Sequence, residues 1–269
     1  MTLTEIKIQS LGKKLEAANE ISGFQQYVEC KRAYFFFKRI FDVVISLLVI
    51  SLLLSWLTPF IALLIILDSP GPVFFIQRRV GRMGRAFRCL KFRTMVINDE
   101  ANTRQAEEND LRITRFGNFL RKSNLDEFPQ FFNVLLGNMS IVGPRPHMHA
   151  DCARFSAVIS DYKKRNIVKP GITGLAQSKG FRGPTKDFTS IFHRYQFDTF
   201  YIRNACFGLD MRIIRKTASL TLLGIVSYFS RFFAKENENR PLHIQLSYVA
   251  RNVLISILPI LLCLGFGIV

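Results

Sequence analysis

The chain has no Cys-x-x-Cys pair; its five cysteines, Cys30, Cys89, Cys152, Cys206 and Cys263, are odd in number and widely scattered. That spacing argues against a cysteine zinc site or a dithiol redox motif and reads as reduced cytosolic thiols. The first forty residues also lack the apolar core of a secretory signal, because the long hydrophobic run begins only at Val43. The bulk of the chain is therefore expected in the cytoplasm. Internal repeats and low-complexity tracts are absent, so the chain is not repeat-built. Acidic residues are scarce: 20 Asp and Glu face 37 Lys and Arg, for a formal net charge of +17. Partners should be anionic, whether phospholipid headgroups, nucleotide phosphates or nucleic acid. With 26 phenylalanines among 49% hydrophobic residues, the surface suits an anionic phospholipid leaflet better than a DNA groove, and no nucleic acid is expected.

Residues Val43 to Leu67 carry no charge and are bounded by Asp42 and Asp68. As one helix they would extend about 37 Å, enough to cross a hydrocarbon core of about 30 Å. Pro59 interrupts the run, and basic residues flank both sides: Lys38 and Arg39 before it, Arg78, Arg79, Arg82, Arg85 and Arg88 after it. Both flanks thus favour the cytoplasmic face. An ordinary span, a broken, re-entrant helix that dips into one leaflet and a buried helix of a soluble fold are the readings open; Pro59 and the flanking charge favour the second.

Beyond Ser69-Pro70-Gly71-Pro72, the strings Val73–Ile76 and Phe87–Met95 flank a basic, Gly-bounded turn at Gly81–Arg85 and predict a β-hairpin. Residues 98–110 read as a polar loop or exposed helix. Residues 114–136 have helical spacing, with Phe116, Phe119, Leu120, Phe128, Phe131, Phe132 and Leu135 on the apolar face. Further helices are expected over 150–166, 189–202 and 209–233, with a Pro/Gly loop at Lys169–Gly174. An apolar segment from about Ile244 ends the sequence.

The chemistry-bearing string is Arg121-Lys122-Ser123-Asn124-Leu125-Asp126-Glu127, followed by Gly143-Pro144-Arg145-Pro146. Adjacent carboxylates on a regular helix point about 100° apart, so Asp126 and Glu127 can serve one ligand only at a helix start or irregular turn. Two readings are open. Ser123-x-x-Asp126 fits a capping box, with carboxylates favourably placed in a first helical turn. Alternatively, one carboxylate attacks a phosphoryl group while the other holds Mg²⁺, with arginines taking the remaining phosphate charge. Arg121, Arg145 and Arg115 are candidates for that charge, Arg145 held between two prolines. Lys91, Arg93 and Lys169 belong equally to a generally basic surface, and His147 with His149 lacks the partners of a metal site.

Together the strings Lys38–Asp42, Ser69–Phe75, Lys91–Met95, Asp126-Glu127, Asn133–Leu135, Val142–Pro146, Lys169–Gly174 and Tyr201–Asn204 resemble the bacterial sugar transferase family, the monotopic polyprenyl-phosphate hexose-1-phosphate transferases. The resemblance covers about Lys38 to Thr217. It implies that Asp126 is the nucleophile and Glu127 the Mg²⁺ ligand. Arg121, Arg145, Lys91, Arg93 and Lys169 would be substrate binders. It further implies transfer of a hexose 1-phosphate from a UDP-sugar to undecaprenyl phosphate with release of UMP, at the cytoplasmic face of a bacterial inner membrane, opening exopolysaccharide, capsule or O-antigen synthesis. The family's re-entrant helix breaks at a Ser-Pro pair; the matching position here is near Ser55-Trp56, whereas proline stands three residues later at Pro59. Members of the hexose branch, often specific for glucose or galactose, commonly carry a large multi-span amino-terminal domain. With about 37 residues before its membrane segment, this chain resembles the minimal catalytic form.

The expected architecture is mixed α/β and largely helical: a monotopic membrane protein with a re-entrant helix, a small β-hairpin and amphipathic surface helices. Its segments are an amino-terminal polar or amphipathic stretch (1–37), the membrane helix (38–70), a catalytic domain (71–217), an apolar helix with polar linker (218–241) and a carboxy-terminal apolar segment (242–269). That last segment would add a second membrane contact or build an oligomer, leaving a homodimer open. Two rival functions stand: a glycosyltransferase that moves only the sugar and releases UDP, and a non-enzymatic basic scaffold at the membrane.

Overall fold

The computed structural model describes residues 26–98, 106–107, 110–159, 161–183 and 187–236. The carboxy-terminal apolar segment and most of the 98–110 stretch lie outside the described residues. Helix α1 (Arg32–Val49) passes through a π-turn (Ile50–Leu54) into α2 (Ser55–Asp68). The apolar run is therefore helical throughout, where a break was expected. The irregularity is the wide turn, one turn ahead of Pro59; Ser55 Oγ and Trp56 Nε1 donate to the Ser51 and Leu52 carbonyls within it.

Both ends of this run are fastened to one body. Arg39 donates to the carbonyls of Val134 and Leu135, at the end of α4 (Gln130–Leu135), at 2.6 and 3.0 Å. Lys38 pairs with Asp210 at 2.7 Å, and Asp42 Oδ1 accepts from the Ile141 N–H. At the other end, Asp68 Oδ2 accepts from the Phe116 N–H in the first turn of α3 (Arg115–Lys122), where a carboxylate meets the positive end of the helix dipole. Ile61 and Ile65 pack there against Phe92 and Leu120.

The hairpin forms as expected, β1 (Phe74–Val80) pairing antiparallel with β2 (Ala86–Phe92) across a short 3₁₀ turn at Arg82–Gly84. β2 stops at Phe92 rather than reaching Met95, which instead bridges Ile113. The helix expected over 114–136 is split into α3, a 3₁₀ turn (Leu125–Glu127) and α4, because Asn124 adopts a left-handed conformation (φ 58°) and Pro129 opens the next helix.

β3 (Ser140–Val142) pairs in parallel with β4 (Gly171–Thr173), inside the segment expected to be a loop. The two chains approach so closely that a Cβ on Gly171 would overlap the Gly143 nitrogen, so glycine here serves strand pairing. Helix α5 (His149–Val158) gives way to a 3₁₀ stretch (Tyr162–Ile167) instead of continuing to 166. The short α6 (Leu175–Ser178) precedes α7 (Phe188–Asn204) and α8 (Phe207–Glu236), the last running without interruption past residue 217. Val134, Met139, Val142, Tyr201, Ile202 and Ile213 form the largest core, beneath the β3–β4 pair.

Candidate active site

The 3₁₀ turn at Leu125–Glu127 supplies the irregular geometry that adjacent carboxylates require. Arg182 Nη1 donates to Asn124 Oδ1 at 2.6 Å and so holds the left-handed residue that starts the turn. The capping-box alternative does not form: Ser123 Oγ donates back to the Phe119 and Leu120 carbonyls, and the turn has no side-chain cap.

From β2, Lys91 Nζ reaches Glu127 Oε1 at 2.6 Å and Asp126 Oδ2 at 3.9 Å. Arg145, on the loop after β3, meets the same Glu127 through Nη2 to Oε1 at 2.8 Å and Nη1 to Oε2 at 3.3 Å. Glu127 is thereby pinned, while Lys91 stands 3.9 Å from Asp126, with the charges of Arg121 and Arg145 also acting on it. Their acidities diverge accordingly. Burial pushes the Asp126 carboxyl up to about 6, against the pull of Lys91 and with help from the Glu127 charge. Burial would raise Glu127 too, but Arg145 and Lys91 overcome it and hold that carboxyl well below the usual range.

Arg145 is held by a buried support. Arg165 Nη2 donates to its carbonyl at 2.7 Å while pairing with Asp198 at 2.6 Å, and the Arg165 guanidinium lies over the Tyr162 ring. Arg79 donates to the Pro146 carbonyl, and Val80 N–H to that of His147, tying the same loop to the hairpin. The His147 ring is buried against Tyr162, 2.7 Å between Nδ1 and the phenol oxygen; burial and the surrounding arginines hold its pKa well below the ordinary imidazole value. Among the described residues, no group of three His, Cys, Asp or Glu is arranged to hold a metal.

A cavity of about 420 Å³ opens beside Asp126, with Lys91, Arg121, Arg145, Arg182 and Arg194 in its walls and Phe74, Phe75 and Met148 supplying apolar surface. Among the described residues Arg121 makes a long contact with Thr94 Oγ1, 3.4 Å, and its side chain lines the cavity. Two expected substrate binders are placed otherwise. Arg93 touches the cavity, but its guanidinium turns to the end of α2, donating to the Ser69 and Pro70 carbonyls at 2.5 Å each and to that of Ile65. Its geometry is that of a helix clamp. Lys169 is absent from these walls and lines a separate cavity.

Arg182, Arg194 and the Arg165–Asp198 pair are additions that local reading missed. Arg182 stood in a Gly-Phe-Arg-Gly-Pro string that could have marked it. Arg194, which bonds the Gly183 carbonyl from within α7, gave no local sign.

A family model described as bacterial sugar transferase matches residues 33–224. Among curated proteins, the UDP-glucose:undecaprenyl-phosphate glucose-1-phosphate transferase of Xanthomonas campestris pv. campestris is 52% identical over 175 residues, 64% of this chain but 36% of that protein. The enzyme of the same name from Escherichia coli is 47% identical, with 66% of this chain matching 38% of it. The chain thus spans well under half the length of these two relatives. The exopolysaccharide production protein PSS of Rhizobium leguminosarum bv. phaseoli is 45% identical over 66% of this chain and 90% of its own length.

Proposed function

Because the chain belongs to the bacterial sugar transferase family, we propose that it moves a hexose 1-phosphate from a UDP-sugar to undecaprenyl phosphate and releases UMP. The unequal restraint of the two carboxylates carries this reading: Glu127 is gripped by Lys91 and Arg145, while Asp126 faces the cavity with Lys91 3.9 Å away. With its carboxyl pushed up to about 6, Asp126 is mostly ionised at neutral pH yet retains the basicity of a useful nucleophile.

In the first step an Asp126 oxygen attacks the sugar-bearing phosphorus. The bond from that phosphorus to the bridging oxygen breaks, and UMP departs with the electron pair. In the second, a phosphate oxygen of undecaprenyl phosphate attacks the same phosphorus, the aspartyl–phosphorus bond breaks, and the carboxylate is restored. Two steps let a water-soluble donor and a lipid acceptor use one carboxylate in turn. Arg121, Arg145, Arg182 and Arg194 line the cavity and would take the charge of the diphosphate, and Arg145 is preorganised by Arg165.

Magnesium fits the same residues. Among the described residues Glu127 Oε2 has the one 3.3 Å contact with Arg145, which leaves it a lone pair, Asp126 is its chain neighbour, and one or two carboxylates with substrate phosphates suffice for this ion. Held there, it would neutralise charge on the transferring and leaving phosphates.

The fastening of both ends of the apolar run to one body supports a re-entrant, monotopic insertion from the cytoplasmic side of the inner membrane. Exposed Leu47, Leu52, Trp56, Phe60 and Leu63 would meet lipid. The lipid-linked sugar diphosphate would then open the assembly of an exopolysaccharide, capsule or O-antigen, the first of these in line with the name of the Rhizobium relative.

The test is to incubate membranes bearing the protein with UDP-hexoses, Mg²⁺ and undecaprenyl phosphate, and to measure UMP and UDP. Lipid-dependent UMP from wild type, abolished in Asp126→Asn, is the expected outcome. UDP as product would overturn phosphosugar transfer, and activity surviving in Asp126→Asn would overturn the nucleophile.

A further inference from the structure

A second cavity, of about 460 Å³, lies between the start of α1, the hairpin turn and the segment entering β4. Cations outnumber carboxylates in its walls, Arg32, Lys38, Arg39, Arg82 and Lys169 against Glu29 and Asp42. The guanidiniums of Arg39 and Arg82 donate to backbone carbonyls of Val134, Leu135 and Ile167, neutral acceptors that bring no counter-charge. Lys169 crowds the same place as Arg39: a Cβ on Gly137, itself left-handed at φ +83°, would sit 3.7 Å from Lys169 Nζ and 3.5 Å from Arg39 Nη2. Lys38 is already matched by Asp210, Asp42 is engaged by the Ile141 N–H, and Glu29 is an exposed wall residue. Burial first, and the Arg39 charge second, pull the Lys169 ammonium below its ordinary pKa, against the opposite pull of Asp42.

The same walls contain Phe35 and Phe36, and Phe36, Phe37 and Ile40 are exposed where the apolar run begins. We propose that this cavity is a binding site for the phosphate of a non-reacting anionic phospholipid, held by Lys169, Arg39 and Arg82 with its acyl chains against the phenylalanines of α1. A soluble phosphate would leave those aromatic walls unused. The reacting acceptor is a poor match, because its phosphate must meet Asp126, which lines the other cavity and not this one. The assignment rests on the reading that α1 enters a bilayer.

The full chain, purified in neutral detergent, would be titrated with dioctanoyl phosphatidylglycerol, dioctanoyl phosphatidylcholine or inorganic phosphate and followed by native mass spectrometry. Wild type and Lys169→Arg should bind phosphatidylglycerol alike. Lys169→Gln and Arg82→Gln, the latter on the exposed turn, should each bind it about tenfold more weakly, the scale of one lost charge-assisted phosphate contact. Unchanged affinity in both glutamine variants would overturn the site, and inorganic phosphate binding as tightly as the lipid would overturn its lipid character. Loss of phosphatidylglycerol in Asp126→Asn would move the lipid to the acceptor position and equally overturn it. Retention in Asp126→Asn with loss in Lys169→Gln supports the site even if no UMP is ever released, so failure of the catalytic reading would be seen separately.

Discussion

Replacing Lys91 by methionine tests whether this lysine sets the ionisation of the nucleophile. With its carboxyl at about 6, Asp126 is roughly nine-tenths ionised at pH 7. Lys91 is the strongest influence holding that value down, from 3.9 Å. At that separation the attraction amounts to about 4 kcal/mol for an effective dielectric of about 20, and neighbours of this kind lower a carboxyl pKa by about 1–3. Both side chains keep some solvent access, which places the effect in the lower part of that range. Lys91→Met should therefore move the acidic limb of UMP release from about pH 6 to about 7–8. The methionine removes no donor from Asp126 itself, since the 3.9 Å contact is beyond hydrogen-bond reach. Single-turnover UMP release at saturating UDP-sugar, followed from pH 5 to 9.5, reads this directly. At pH 7 the rate should fall about two- to tenfold and then recover by pH 9 or above. A loss that persists at high pH with an unmoved limb would refute the reasoning and make Lys91 a phosphate contact only.

Stability should respond to the same carboxylate with the opposite sense. The folded-state pKa of Asp126 lies above its ordinary 3.8, so its contribution to stability is present below about pH 3.8 and lost as pH rises through about 6. Asp126→Asn should thus melt higher than wild type at pH 8, by at most about 3 kcal/mol, with the gain vanishing near pH 4. A pH-independent difference in melting temperature would contradict this. Asp198→Asn leaves Arg165 buried without its counter-charge and should cost about 3–5 kcal/mol in denaturant unfolding, whereas a loss below about 1 kcal/mol would mean the pair is dispensable. For the re-entrant insertion, variants retaining only Cys30, or only a cysteine placed at exposed Met83, should both resist an impermeant maleimide in intact cells and both react in lysates. Labelling of one alone in intact cells would establish a span.

Much of the molecule is readable along the chain. Local charge and spacing mark the uncharged run between Asp42 and Asp68, the hairpin with its basic glycine turn, and the string that holds Asp126 and Glu127 near arginines. These features follow from short-range rules, namely apolar length, strand alternation and turn chemistry. Reading fails where a residue's meaning depends on what packs against it. Lys91, Arg93 and Lys169 look alike as basic residues of one surface, yet Lys91 lies 2.6 Å from Glu127, Arg93 caps α2 and Lys169 faces a different cavity. The pairing of β3 with β4 is equally hidden, because strands of three residues carry almost no periodicity and Gly171 matters only through its approach to Gly143. Sequence alone determined which ionisable groups are present and that two carboxylates are adjacent. Tertiary structure decided which of the two is pinned, since Arg145 and Lys91 reach Glu127 from 18 and 36 residues away, and a charge's effect is set by distance and burial rather than by position along the chain.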